Sequence, residues 1–267
     1  MNDIPIFDCL THPSLEGNWI DSRWTAKNSF EQLEREMRAA NVRWCLAVTM
    51  GSTGGYDLLQ YPKACLARTG QLFPIAFFSI AECHTGHQVE LQLTRIRDLG
   101  YLGIKIHPRL SGVDFGHPLL PTAIRIANRF GLAVLLCTYF YSSNSACGKC
   151  SPETLRELLH QVPSEKMILV HGGGLRLLEV SEMTRPFKHV LLDVSFTLCE
   201  YAGSSVDLDL RYVFERCCGR VCLGSDSPEI SLTRMRERFE QLTQGVEEPL
   251  RERIAYKNLF AFMGMAS

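Results

Sequence analysis

Several short apolar segments of this chain end in a side chain that can transfer a proton or bind a metal ion. The clearest is MILVHGGG, residues 167–174, in which a hydrophobic run ends at His171 and continues into three glycines. Similar endings place His12 after IPIFDCLT, Lys105 and His107 in LGIKIHP, and Asp226 in VCLGSDSP. Imidazole and carboxylate groups are common components of general acid–base catalysis and of zinc sites. Because all of them follow apolar, strand-like runs, we expect them to meet in one pocket.

Eight apolar segments with strand character must position these residues. They comprise residues 4–9, 42–49, 72–79, 102–107, 132–138, 167–171, 190–195 and 221–225. Segments with helical periodicity alternate with them, at residues 30–40, 56–69, 89–100, 119–131, 151–162, 175–187, 207–219 and 232–243. Strict alternation of apolar strands with helices is typical of a parallel sheet covered by helices. Eight such units predict an α/β fold, a (β/α)8 TIM barrel, and an open doubly wound sheet is the less favoured alternative.

The predicted barrel is a single domain, residues 1–267, because no repeat, low-complexity stretch or linker divides the chain. A last helix within PLRERIAYKNLFAFMG is predicted to close it. Alternation along the strands places Leu169 and His171 together on the inner side, and likewise Gly224 and Asp226. The C-terminal ends of the strands would then form the mouth of the active site, as is usual for this fold.

The composition is that of an enzyme-sized globular domain rather than of a nucleic-acid-binding or membrane protein. With 46% hydrophobic residues and a net charge of -1, the 267 residues can bury a large core and have no basic excess. The start, MNDIPIFDC, lacks the features of a signal peptide, and no apolar run reaches the ~18 residues of a membrane span. The eleven cysteines are odd in number and scattered through apolar strands, which predicts reduced thiols and a cytoplasmic location.

Five short motifs occur in an order that resembles the amidohydrolase superfamily, in particular its amidohydrolase-2 branch, which includes decarboxylases and lactonases. They are THP after the first strand, GIKIHP in the fourth, VHGGG in the sixth, GSDSP in the eighth, and KNLFAFMG near the C-terminus. The resemblance extends over nearly the whole chain. It implies a TIM-like barrel whose mouth binds a divalent metal ion through a His-x-His pair, a strand-five histidine, in some members the strand-six histidine, and a strand-eight aspartate.

The metal ligands that the resemblance implies are only partly present. His12 matches the second histidine of the pair, but Leu10 occupies the first position, and Cys137 stands where strand five usually has histidine. The expected ligands are therefore His12, Cys137, His171 and Asp226, around one divalent ion, with zinc preferred because thiolate is a good zinc ligand. Such a site would bind its metal more weakly than that of relatives with every ligand. The alternative is a metal-free site in which Cys137 is a small core residue.

The predicted function is hydrolysis of an amide, ester or lactone bond in a small, anionic organic molecule. In that mechanism Asp226 is the general base for a water held near His12, while a metal ion or His171 polarises the substrate carbonyl. His107 is a third catalytic candidate, and the candidate substrate-binding residues are Arg109, Tyr139 and Arg176. Nonoxidative decarboxylation by the same residues, and a noncatalytic barrel that binds a ligand or partner, are the alternatives. The expected partner is a small molecule, neither nucleic acid nor membrane, and both a monomer and a homo-oligomer are compatible with the sequence.

Three further features have more than one interpretation. Lys105 is either a carboxylated bridge between two metal ions or, as we expect here, half of a buried ion pair with Asp8 or Asp226. The glycines of VHGGG either present backbone amides to an anion or simply permit the turn before the next helix. Cys147 and Cys150, in CGKC, are half of a zinc site, a redox couple, part of a metal clip, or incidental loop thiols.

Overall fold

Eight parallel strands form the centre of the protein, whose structure is a computed structural model that describes residues 4–25, 28–51, 56–68, 70–141 and 150–265. The strands are β1 (Ile6–Thr11), β2 (Val42–Val48), β3 (Leu72–Phe77), β4 (Gly103–Ile106), β5 (Ala133–Cys137), β6 (Met167–Val170), β7 (Val190–Asp193) and β8 (Val221–Cys222). Each strand pairs with the next one along the chain, so the sheet order is the sequence order. Every predicted strand segment overlaps one of these strands.

The sheet closes on itself between its first and last strands. The backbone N–H of Cys9 donates to the carbonyl of Leu223 at 2.8 Å, and that of Asp226 donates to the carbonyl of Leu10 at 2.9 Å. A parallel bridge continues this contact beyond the end of β8. A closed sheet of eight parallel strands with helices outside is a TIM barrel, so the (β/α)8 prediction is confirmed and the open sheet is excluded.

Helices cover the outside of the barrel. Those among the described residues are α1 (Phe30–Ala39), α2 (Tyr61–Leu66), α3 (Gly86–Asp98), α4 (Pro108–Ser111), α5 (Leu120–Arg129), α6 (Pro152–Gln161), α7 (Leu177–Thr184), α8 (Thr197–Glu200), α9 (Val206–Arg216), α10 (Leu232–Leu242), α11 (Glu248–Glu252) and α12 (Asn258–Met263). Each predicted helical segment overlaps one of them. The sequence did not predict α4 and α8, because helices of four residues are too short to show periodicity. Within the described ranges, no helix has the length and apolar character that crossing a bilayer requires.

Two apolar layers hold the barrel together. The outer layer lies between strands and helices and includes Leu136, whereas the inner layer fills the barrel and includes its neighbour Leu135. Phe260 of α12 joins the inner layer, with its ring centroid 4.9 Å from that of Phe7 and 4.8 Å from that of Trp44. The predicted C-terminal helix therefore closes the end of the barrel opposite the mouth.

One prediction about side-chain direction is wrong. Leu169 belongs to the outer layer, while Ile168 and Val170 fill the barrel, so Leu169 and His171 do not share the inner side by simple alternation. His171 reaches the mouth because its backbone is left-handed, with φ of 69°, and Asp226 is left-handed as well, with φ of 67°. Non-glycine residues rarely adopt this conformation, and it occurs here at two of the predicted site residues.

Candidate active site

A cavity of about 200 Å³ opens at the C-terminal ends of the strands. Its wall contains the predicted residues His12, Lys105, His107, Arg109, Tyr139, His171 and Asp226. Nε2 of His12 and Oδ1 of Asp226 are 3.3 Å apart, although the two residues are separated by most of the chain. The strand ends therefore converge on one pocket, as the sequence predicts.

A larger cavity of about 620 Å³ adjoins the first. The two cavities share Ile20, Met50 and Leu110, and the larger one continues past Phe77 and Phe78 toward α3. Because it contains none of the predicted strand-end residues, the chemistry belongs to the smaller cavity. The larger cavity offers space for a part of a ligand that does not react.

His12 is held as a neutral imidazole with Nε2 facing the cavity. Its Nδ1–H donates to the carbonyl of Val48 at 2.8 Å, and its ring stacks on that of Trp19 with centroids 5.2 Å apart. Burial, together with the positive charge of Lys105, lowers the pKa of His12 to about 4. Nε2 is therefore an acceptor, and the nearby Oδ1 of Asp226 is a second one. Two acceptors so close together require a positive partner.

Lys105 supplies that partner. Its Nζ lies 3.2 Å from Nε2 of His12 and donates a hydrogen bond to it. Burial lowers the pKa of Lys105, and the negative charges of Asp226 and Cys137 oppose this shift. The predicted direct ion pair of Lys105 with Asp8 or Asp226 is not formed, since Nζ contacts His12 instead. The charge of Asp226 raises the pKa of Lys105 from a longer distance. Asp8 accepts two backbone N–H groups.

Cys137, at the end of β5, is surrounded by positively charged or N–H-bearing groups. Nη2 of Arg109 lies 3.6 Å from its sulfur, and His107 and His171 are close enough to act on its pKa. Burial alone would raise the pKa of the Cys137 thiol, but the interactions with His107 and His171 outweigh it and hold the pKa well below its ordinary value. The two histidines and Arg109 therefore favour the thiolate form of Cys137.

The ring of His107 is neutral and fixed by a short helix. Its Nδ1 accepts a hydrogen bond from the backbone N–H of Leu110 at 3.3 Å, so its proton lies on Nε2. This contact arises because His107 precedes Pro108, the first residue of α4, and caps that helix. Burial lowers the pKa of His107, and its interaction with Cys137 opposes this shift.

His171 is the histidine of the site whose pKa is raised. Its Nδ1 lies 3.2 Å from the carbonyl oxygen of Ser195 and 3.1 Å from the Ser195 hydroxyl, which in turn donates to Asp193. Burial alone would lower the pKa of His171, but the negative charges of Cys137 and Asp226 outweigh it and raise the pKa above its ordinary value. The ring is therefore oriented from behind by Ser195.

Asp226 is a permanent anion of the cavity wall. Burial alone would raise its pKa, but the positive charges of His171 and Lys105 outweigh it and hold the pKa well below its ordinary value. Its side chain is 15% exposed, so it can accept a hydrogen bond from a molecule in the cavity. A carboxylate stabilised to this degree is a weak proton acceptor at neutral pH.

The predicted metal ligands do not form a metal site. They are His12, Cys137, His171 and Asp226, and no three of their ligand atoms lie within 4.8 Å of one another. In the part of the chain that the structure describes, such a group occurs only in the buried residues Cys9, Asp193 and Cys222. The nitrogen of His12 that would coordinate an ion is instead hydrogen-bonded by the ammonium group of Lys105, which would repel a second cation. The residues at the mouth therefore do not fit a divalent metal ion.

Two of the three predicted substrate-binding residues line the cavity. The guanidinium group of Arg109 lies over the ring of Tyr139, 4.9 Å from its centroid. Arg176 does not reach the cavity: its side chain is 54% exposed and contacts Glu179 and the hydroxyl of Tyr141. The reason is the turn of consecutive left-handed glycines before it, which places Arg176 on the solvent side at the start of α7.

The structure explains the VHGGG motif but not the CGKC motif. The glycines of VHGGG are needed for the turn, because all three have positive φ and a Cβ at Gly173 would lie 2.5 Å from Val180. The N–H of Gly173 already donates to the hydroxyl of Thr138 at 3.1 Å, which leaves that amide unavailable to an anion. Cys147 of CGKC lies outside the described residues, so the interpretations of that motif stay predictions.

Among the residues of the cavity wall that sequence reasoning missed, three have aromatic or acidic side chains, namely Trp19, Phe196 and Glu229. Nε1 of Trp19 donates to Glu229 at 3.3 Å, and burial raises the pKa of Glu229. Glu229 follows Asp226 by three residues at the same strand end, and this spacing could have identified it as a site residue. Trp19 and Phe196 lie in loops without a motif, so only the folded chain shows their proximity to the site.

Comparisons with known proteins agree with this architecture. A family model described as "Amidohydrolase" matches residues 51–258. An uncharacterized TIM-barrel protein from Bordetella bronchiseptica superimposes with a TM-score of 0.80 at 18% identity, covering 97% of this chain and 99% of that one. The 5-carboxyvanillate decarboxylase of Sphingomonas paucimobilis superimposes with a TM-score of 0.68 at 13% identity, covering 98% of this chain and 100% of that one. The 5-carboxyvanillate decarboxylase of Novosphingobium aromaticivorans, complexed with manganese, has a TM-score of 0.66 at 12% identity, covering 98% of this chain and 96% of that one. No curated protein matches the chain.

Proposed function

Because the chain belongs to the amidohydrolase-2 family, we propose that it is a hydrolase that cleaves an amide, ester or lactone bond in a small anionic molecule without a resident metal ion. The observation that carries this proposal is the position of Lys105, whose Nζ contacts Nε2 of His12 at 3.2 Å, beside Asp226. An amine thus provides the positive charge at the strand-one histidine, where the family resemblance implies a metal ion.

Two cationic side chains favour an anionic substrate. Arg109 and Lys105 both line the cavity, and the ring of Tyr139 holds the guanidinium group of Arg109 in place. Nε of Arg109 is buried and has no hydrogen-bond partner. A guanidinium group fixed on an aromatic ring binds a carboxylate or phosphate in a defined orientation. The small volume of the cavity limits the reacting part of the substrate to a small organic group.

Lys105 is the group that polarises the substrate carbonyl. It is 1% exposed, so its N–H groups act in a cavity from which bulk water is largely excluded. Donors placed in such a cavity stabilise the negative charge that develops on a carbonyl oxygen far better than donors in water do. His12 fixes the ammonium group from behind through the 3.2 Å hydrogen bond.

His171 carries protons, and Asp226 orients the hydrolytic water. The raised pKa of His171 favours its protonated form, as the donor to a leaving group requires. Asp226 stays ionised and accepts a hydrogen bond from the water, but its low pKa makes it a poor base. The proton-transfer role that the sequence assigned to Asp226 therefore moves to His171, and Asp226 also stabilises the positive charge of that histidine.

A substrate screen combined with elemental analysis tests this function. The full chain is purified without chelator or metal-affinity resin, and anionic esters, lactones, amides and carboxylates are assayed before and after treatment with a chelator. We expect hydrolysis that the chelator does not reduce and a metal content well below one ion per chain. Lys105→Met should lower turnover by ~100-fold or more, which is typical for the loss of one oxyanion donor. Lys166→Met, an exposed lysine next to β6 at the opposite end of the barrel, is the matched control and should keep full activity.

Each contrary result identifies a different error. One metal ion per chain, together with loss of turnover after chelation, would refute the metal-free site but leave the hydrolase function intact. Release of carbon dioxide from a carboxylate without hydrolysis of any ester, lactone or amide would make the protein a decarboxylase. Saturable binding of an anion without turnover would identify a noncatalytic barrel.

A further inference from the structure

We propose that the larger cavity binds an apolar tail of the substrate, and that the substrate is an amphipathic molecule with an anionic, hydrolysable end. The inference rests on the hydrolase function proposed above and names the class of substrate that the same site takes. The smaller cavity, of about 200 Å³, is below the ~300–1,000 Å³ of pockets that enclose a drug-sized ligand, and the larger one, of about 620 Å³, lies within that range. A ligand that fills both cavities therefore extends well beyond its reacting group.

Three apolar side chains connect the two cavities. Ile20, Met50 and Leu110 line both of them. Ile20 is 53% exposed and Leu110 is 50% exposed, so much of the hydrocarbon surface at this connection is in contact with water. A hydrocarbon chain that runs from the smaller cavity into the larger one would cover this surface, which is favourable because apolar surface leaves water. The connection therefore favours a tail without charged groups.

The wall of the larger cavity is mostly apolar and firmly packed. Leu58, Phe77, Phe78 and Ile96 line it, and Phe78 and Ile96 are buried in the outer apolar layer. Phe77 is half-buried, and its ring lies against Gly51, where an added Cβ would be 2.9 Å from a ring carbon. Aliphatic and aromatic side chains lose their water most favourably to an apolar partner. The ligand that this wall stabilises is therefore apolar.

The charged side chains of the larger cavity do not select an anion. Glu82 and Arg95 both line this cavity, are exposed and carry opposite charges. The smaller cavity instead contains Lys105 and Arg109, to which the proposed function assigns the binding of the carbonyl oxygen and of the anionic group. The anionic end of the substrate therefore belongs to the smaller cavity, and the uncharged tail belongs to the larger one.

Helix α4 joins the anion-binding group to the apolar connection. Arg109 and Leu110 are consecutive residues of this short helix. The guanidinium group of Arg109 lies over the ring of Tyr139, 4.9 Å from its centroid, and the backbone N–H of Leu110 donates to Nδ1 of His107 at 3.3 Å. Both residues are thus held in place, and an anion bound to Arg109 lies beside the route into the larger cavity. A tail attached to that anion is therefore directed past Leu110.

Calorimetric titration of the full chain with butanoate, hexanoate, octanoate and decanoate tests the inference. These carboxylates have no bond to hydrolyse, so their binding is measured without turnover. We expect one ligand per chain and a Kd that falls by ~4-fold for each added methylene group that enters the larger cavity. The heat capacity should decrease on binding, because apolar surface is buried. Arg109→Gln should raise the Kd of every member of the series by a similar factor, since the carboxylate loses its partner.

A substitution that fills the larger cavity locates the tail. Gln92 of α3 is half-buried and lines this cavity, so the indole of Gln92→Trp should occupy the space of the tail. The variant should bind butanoate with the Kd of the wild type, which also shows that it is folded, but should not bind octanoate or decanoate more tightly. Leu91→Trp is the matched control, because Leu91 is the preceding residue of α3 and is 55% exposed. It should reproduce the chain-length dependence of the wild type.

The outcomes separate this inference from the proposed function. Equal Kd values for butanoate and decanoate in the wild type would overturn the tail site and leave the hydrolase function standing. Chain-length dependence that persists in Gln92→Trp, or an unchanged series in Arg109→Gln, would also overturn it, because the ligand would then lie elsewhere or in another orientation. Tighter binding of longer chains that is lost in Gln92→Trp, without hydrolysis of any amide, ester or lactone, would support the tail site and overturn the hydrolase.

Discussion

Asp8 of β1 should make the protein less stable as the pH rises from about 4 to about 7. Its side chain is completely buried: Oδ1 accepts the backbone N–H groups of Leu10 and Ser225 at 3.0 and 2.9 Å, and Oδ2 has no partner. Burial raises the pKa of Asp8 from 3.8 to about 7, against the opposing effect of these hydrogen bonds. The folded protein therefore keeps a proton that the unfolded chain releases at about pH 4, and a raised acid pKa lowers stability as the pH increases.

The width of that pH window determines how much of the free energy of unfolding is lost. Each pH unit between the two pKa values removes about 1.4 kcal/mol, so roughly three units remove up to ~4 kcal/mol of the free energy of unfolding, and the loss stops at about pH 7. Asp8→Asn has no proton to lose. Its amide keeps the oxygen acceptor but buries an NH2 group without a partner, which costs ~1–3 kcal/mol at every pH. The variant should therefore be less stable than the wild type near pH 4 and more stable near pH 8.

Urea unfolding at several pH values measures the effect. The difference in the free energy of unfolding between Asp8→Asn and the wild type should change sign across the window of about pH 4 to pH 7. Asp98→Asn, which changes an exposed carboxylate of α3, is the control and should follow the pH dependence of the wild type. Parallel curves for the wild type and Asp8→Asn would refute the reasoning, because Asp8 would then be ionised in the folded protein at neutral pH.

Three substitutions test the mouth of the barrel. Asp226→Asn should lower kcat by ~100-fold. It should also move the alkaline limb of the pH–rate profile to lower pH, because the lost charge no longer raises the pKa of His171. An unmoved limb would contradict the proposed electrostatic coupling between Asp226 and His171. Gly224→Ala places a Cβ 2.6 Å from a carboxylate oxygen of Asp193, so urea unfolding should show a loss of ~1–3 kcal/mol, and a neutral effect would show that this contact relaxes freely. Arg176→Ala should leave KM unchanged, since its side chain lies outside the cavity, whereas a large rise in KM would return Arg176 to the site.

The convergence of the site residues was predictable from the sequence for a geometric reason. Parallel strands in a closed barrel have their C-terminal ends at one mouth, so residues that follow different strands must meet there. His12 and Asp226 are accordingly 3.3 Å apart, and His107 and His171 line the same cavity. The direction of each side chain was not predictable, because His171 and Asp226 depart from strand geometry through left-handed backbone.

The chemistry of the pocket depends on contacts between residues from different strands, and no sequence pattern encodes them. The barrel was predictable from the sequence, because hydrophobic periodicity and eightfold alternation are local properties of the chain. The contact of Lys105 with His12, the position of His171 and Arg109 around Cys137, and the exposure of Arg176 to solvent arise only when the chain folds. Ligand distances and pKa values are set by neighbours that are remote in sequence, since electrostatic and hydrogen-bonding interactions depend on the distance between groups in space rather than along the chain.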